Sequence, residues 1–166
     1  MHPNARPRAA LSAAAAILAL ALPAKAFANA CTWIGTTSSD WTDATNWTDC
    51  GGLAPQSTDT AEAAAGTPNV PAIPAAATVT VAGLTIDPGV ILDVDGTLGL
   101  GDLGGIGMLR VHGTLNWTTG TMSGSGTTQI AAGGVLNISG SDPKSIQTRT
   151  EARWSSSPAA RCWRGR

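Results

Sequence analysis

Between Leu84 and Gly140 apolar and polar residues alternate in short runs, each closed by a glycine. Leu92-Asp-Val94-Asp-Gly96 is followed by Leu109-Arg-Val111-His-Gly113 and then by Leu136-Asn-Ile138-Ser-Gly140. A period of two marks a strand with one dry and one wet face. The parity survives the glycine, so that Leu92, Val94, Leu98 and Leu100 share one face, and Leu109, Val111, Leu115 and Trp117 another. The closing glycines lie 17 and 27 residues apart, and Ile86-Asp-Pro-Gly89 recurs as Ile130-Ala-Ala-Gly133 at the offset of 44 that also separates the outer copies. A repeat of about 22 residues, built of short strands and glycine bends, predicts an all-β chain coiled into a parallel β-solenoid (β-helix). An antiparallel β-sandwich is the alternative, with the same alternation and turns, but it gives no reason for a fixed offset. Stacked copy on copy, the repeats would set Arg110 beside Asp93 and His112 beside Asp95.

The flanks divide the chain further. Residues 1–30 read as a Sec-type signal peptide of bacterial character: Arg6 and Arg8, an apolar run from Ala9 to Leu22, Pro23, and the small-residue triplet Ala28-Asn-Ala30. The run is too short to span a membrane, so the mature chain is expected to be secreted or held at the cell surface with no transmembrane segment. Cleavage after Ala30 would make Cys31 the first residue; lipidation there is the minor alternative, because Ala28 stands where a lipobox carries Leu.

Residues 31–60 form a Trp- and Cys-rich motif in which Trp33, Trp41 and Trp47 lie among Thr, Ser, Asp and Gly. With no aliphatic core available, the indoles supply the apolar area. Cys31 and Cys50 bracket the motif and, in an oxidising compartment, are expected to form a disulfide. Two readings stand for the tryptophans. Exposed indole faces stack on sugar rings, which makes Trp33, Trp41, Trp47 and Trp117 candidates for binding carbohydrate. Packed together, the first three instead cap the open end of a solenoid, and the cap is the preferred reading.

Residues 61–77 carry Pro68, Pro71 and Pro74 among alanines and read as a connector, with an edge strand near Val70 to Ile73; the β repeats occupy 78–142. From residue 31 to 143 ten acidic residues face one Arg, whereas residues 144–166 hold six basic residues and one Glu. This basic tail, 143–166, shows no alternation and leaves Cys162 unpaired; it reads as irregular, in the manner of a truncated or frame-shifted end. Export argues against nucleic acid as the tail's partner.

The order Trp33-x-Gly35, Asp40-Trp41, Asn46-Trp47, Pro55 and Asp59, followed by Gly113-Thr-Leu-Asn-Trp117 and Gly120-Thr-Met-Ser-Gly124, resembles the N-terminal part of large secreted bacterial β-solenoid proteins of the autotransporter, adhesin or surface-sorted type. The resemblance spans about residues 31–150 and implies a structural or adhesive role, with more rungs and an anchor beyond them. It carries over no catalytic residue.

An enzyme is the rival class, since polysaccharide lyases and hydrolases also use β-helices. Its candidates are Asp87, Asp93, Asp95 and Asp102 with Arg110 and His112, and opposite charges on neighbouring strands read more simply as surface pairing. His112 is the one histidine outside the signal, which leaves little for a zinc site or a Ser-His-Asp triad. The expectation is a non-catalytic chain without cofactor or metal, whose partners are a polysaccharide, a host or cell-surface component, or a second copy joined through the solenoid ends.

Overall fold

The computed structural model describes residues 28–101, 107–142, 144–148, 154–156 and 161–164. The signal segment up to residue 27 lies outside them, as does Asp102.

Alternation becomes strand throughout the described chain. The opening motif gives β1 (Ala30–Trp33) and β2 (Trp47–Thr48), joined through a single 3-10 turn at Ala44–Asn46. The coils then run β3 (Thr60–Ala63), β4 (Ala72–Ile73), β5 (Thr78–Val81); β6 (Gly83–Ile86), β7 (Ile91–Val94), β8 (Thr97–Leu100); β9 (Met108–Val111), β10 (Thr114–Trp117), β11 (Thr121–Gly124); and β12 (Thr127–Ile130), β13 (Val135–Ile138), β14 (Ser145–Thr148). β15 (Trp154–Ser156) and β16 (Arg161–Arg164) follow. Each coil lends one strand to each of three sheets, ordered β15-β12-β9-β6-β3-β1-β2, β16-β13-β10-β7-β4 and β14-β11-β8-β5. Every pairing is parallel except β1 with β2. The chain is a parallel β-solenoid, and the sandwich alternative is excluded.

The interior is a set of aliphatic ladders. Leu92, Leu115 and Leu136 stack in the second sheet, Leu84 and Leu109 in the first, and Val79, Leu98 and Met122 in the third, all nearly or fully buried. Apolar area taken from water in this way contributes about 25 cal/mol per Å².

Register explains the sequence repeat and corrects one reading of it. Leu92 pairs with Leu115 and Leu115 with Leu136, while Ile86 pairs with Val111 and Val111 with Ile130. The offset of 44 is therefore two coils. The middle copy, Leu109 to Gly113, belongs to a different face. Asp95-Gly96 turns the chain from β7 to β8, whereas His112-Gly113 turns it from β9 to β10. Both are two-residue corners with the same local chemistry, placed at different corners of the coil. Arg110 consequently lies between Thr85 and Gln129, and Asp93 beside Asn116 and Ala72; the predicted neighbours Arg110 and Asp93 sit on separate sheets.

Two boundaries also move. Residues 61–77 are not a connector but most of the first full coil: Ala61 and Ala63 point inward from β3, and β4 needs only Ala72 and Ile73 between Pro71 and Pro74. The prolines bound that strand without interrupting it, and the Pro71 carbonyl still accepts a bond from the Asp93 N–H at 3.1 Å. The tail is not irregular along its whole length either, since β15 extends β12 and β16 extends β13 in parallel register.

Candidate functional site

The chemistry of the opening motif is the chemistry of a lid. Asp43 caps the 3-10 turn by accepting from the Thr45 N–H at 2.9 Å and the Thr45 hydroxyl at 2.6 Å. The Thr45 hydroxyl first, and then its N–H, hold the Asp43 carboxyl below its ordinary value. Asn46 is fully buried and uses its whole amide: Oδ1 accepts from the Thr37 and Ser38 N–H groups, and Nδ2 donates to the Ser38 hydroxyl and the Asp40 carbonyl. This single side chain folds the 37–46 loop over the stack. Below it Trp33, Trp41 and Trp47 pack on one another, with ring centroids 4.6 Å (Trp41–Trp47), 5.1 Å (Trp33–Trp47) and 6.5 Å (Trp33–Trp41) apart. The Trp33 indole N–H reaches the Asn69 carbonyl at 2.9 Å, and that of Trp47 the Trp41 carbonyl at 2.8 Å. Cys31 and Cys50 are bridged, with Cα atoms 4.8 Å apart.

The lid sits where it does because the first coil is hollow. β3 presents alanines where later coils present Leu, Ile and Val, and the disulfide and Trp33 fill that space from β1. β1 continues the first sheet, Asp40 bridges in parallel to Ala72 at the end of the second, and the antiparallel strand β2 closes the row.

These positions pack the indoles as the cap reading has them. Trp33, Trp41, Trp47 and Trp117 are 0, 1, 6 and 1% exposed, so none has a ring face free for a sugar. Trp117 stands in the interior ladder between Val94 and Ile138. Cys31 is buried and disulfide-bonded to Cys50.

Among the described residues, the carboxylates of Asp93 and Asp95 are bound by the next coil. Asp93 Oδ1 accepts from Asn116 Nδ2 at 2.8 Å, and Asn116 Oδ1 accepts from Asn137 Nδ2 at 2.9 Å, a ladder that climbs three coils. Asp95 accepts from the Thr118 hydroxyl. The Arg110 side chain lies against its own strand, at the Met108 sulfur, and His112 is exposed at a corner. Cys31, Cys50 and Asp59 do cluster, their ligand-type atoms within 4.8 Å. The two sulfurs are bonded to each other, however, and Asp59 is already filled by N–H donors, so the set offers no thiolate pair to an ion.

A cleft of about 370 Å³ lies along the edge of β5, where no described strand continues the third sheet toward the lid. Thr42, Gln56, Ser57, Thr78 and Thr80 supply its polar groups and Ala54 a partly exposed apolar one, with the buried Trp41, Pro55 and Val79 beneath them. Sequence reasoning misses it because its two walls are more than 20 residues apart, in segments that read as separate units. Among the described residues no helix is long and apolar enough to cross a membrane. No family model matches the chain, and neither a curated protein nor a solved structure matches it.

Proposed function

We propose that the chain is an exported, non-catalytic β-solenoid that serves a structural or adhesive role at a bacterial surface. The observation that carries the reading is the Asp93–Asn116–Asn137 ladder, in which outward polar groups are held at coil spacing by bonds between coils. Such an array works passively: it presents a fixed row of amide and carboxylate groups to a sugar or a surface without having to order them on binding. The signal-like N-terminus, the acidic solenoid and the resemblance to secreted adhesin-type proteins support the same role.

The test is to express the full chain in a Gram-negative host, fractionate the cells, and measure adhesion of the exported protein to a panel of polysaccharides and matrix proteins. Export with adhesion that falls on Asn116→Leu is the expected result. Retention in the cytoplasm, or release of unsaturated sugars that stops on Asp93→Asn, would overturn it.

The β5 cleft favours a second reading, a carbohydrate-binding module, because a cleft lined by hydroxyl and amide groups suits a sugar. Saturable binding of one oligosaccharide, abolished by Gln56→Ala with Thr80→Val, would establish it over passive adhesion.

A further inference from the structure

Asp59 is 1% exposed, and its carboxylate is the hub of the N-terminal closure. Oδ1 accepts from the Asn29 backbone N–H at 2.7 Å and from Asn29 Nδ2 at 3.1 Å, while Oδ2 accepts from the Gln56 N–H at 2.8 Å. Among the described residues no Lys, Arg or His pairs with it. Asn29 is tied in from its other side as well, since its carbonyl accepts the Thr60 N–H at 2.9 Å. Ala28, one residue earlier, is exposed.

This network bears on where the signal is removed. Processing after Ala30 would take Asn29 away, strip Asp59 of two of its three donors and delete the Ala30–Thr60 pairing that starts β1. Removing the partners of a buried carboxylate is among the most destabilising single changes a fold can suffer. Two residues upstream, Ala26-Phe27-Ala28 is another small-x-small triplet, of the kind signal peptidases cut after.

We propose that the chain is processed between Ala28 and Asn29, and that the α-ammonium created there is the counter-ion of Asp59. The inference rests on the export reading above. In the step, water adds across the Ala28–Asn29 amide under a membrane signal peptidase. Ala28 leaves as the carboxylate end of the signal, and the Asn29 nitrogen takes up protons to become an ammonium already 2.7 Å from Oδ1. A bond charged only at its acceptor becomes one charged at both ends, an ammonium–carboxylate pair in the same geometry. Processing then completes the lid rather than merely releasing it.

The exported protein from the fractionation experiment is analysed by N-terminal sequencing and intact mass. A mature chain beginning at Asn29 is the expected result. An exported chain beginning at Cys31, or at any other residue, overturns the proposal and leaves export standing; an unprocessed cytoplasmic chain overturns both. Two chains refolded with their disulfide then test the ion pair, one starting at Asn29 and one at Cys31. The first should melt about 5 °C or more above the second, and its α-amine should be methylated by formaldehyde and borohydride more slowly when folded than when unfolded. Equal melting temperatures, or equal methylation rates, count against the pairing. Asp59→Asn in the Asn29 chain should raise the folded methylation rate while the chain stays folded by circular dichroism; an unchanged rate also counts against it.

Discussion

At Gly35 the backbone takes φ +53°, and a Cβ would come within 2.6 Å of both the Asn69 carbonyl oxygen and the Trp33 indole nitrogen. Strain and collision act together there, so Gly35→Ala should destabilise the protein by about 2 kcal/mol or more, read as a lower urea midpoint at unchanged slope. The same residue shows what is legible in the sequence. Trp33-x-Gly35, Asp40-Trp41 and Asn46-Trp47 stand out as a motif, yet whether the indoles face a ligand or one another depends on Asn69, more than 30 residues away. Asp43 adds a pH dependence. Its carboxyl is held below the ordinary range, so its contribution is fully present above the unfolded value, about 3.9, and is lost as pH falls through the lower folded value. Melting curves should show the wild type losing more stability than Asp43→Asn between about pH 4 and pH 2.

At the level of strands and corners, the alternating pattern is sufficient for β5 to β13 and insufficient for β3 and for the last strands. β3 is obscured because Ala61 and Ala63 bury little area, and β4 shows only as a short edge strand between prolines, whereas the large apolar partners of β3 come from the lid. The phrase Leu-x-Val-x-Gly reads correctly as strand and bend, but a local phrase does not record which corner it turns. The corner glycines make a direct test. A Cβ on Gly113 would lie 2.3 Å from the Asp87 and Val90 carbonyl oxygens of the coil before it, both of them backbone atoms that cannot step aside cheaply. Gly113→Ala should therefore push adjacent coils away from each other and cost about 3 kcal/mol or more, visible in amide exchange as lost protection at Thr114, whose N–H is bound to the Val90 carbonyl. The lid is a second element with a definite energy. Cys31→Ser with Cys50→Ser opens a loop of 19 residues' separation and should cost about 3 kcal/mol, measured by thermal unfolding against the oxidised protein.

For the molecule as a whole, the two ends of the stack differ. One is closed by β2, the disulfide and the indoles; at the other, β14, β15 and β16 are the last described strands of their sheets. Unpaired strand edges recruit further strands. The chain should accordingly sediment as larger species with rising concentration, and a sharp monomeric boundary at all concentrations together with one cooperative melt would refute this.

The antiparallel pairing of β1 with β2, the one such pairing among the described strands, has a consequence for how the coil comes into being. It joins segments close in sequence, and it precedes every other described strand along the chain. From β6 onward, every described strand of the three sheets finds its partner one coil earlier, already made. Growth thus has a polarity, from a floor that needs only itself to successive storeys that each need only the one beneath, and the chain can be assembled at the pace at which it is delivered.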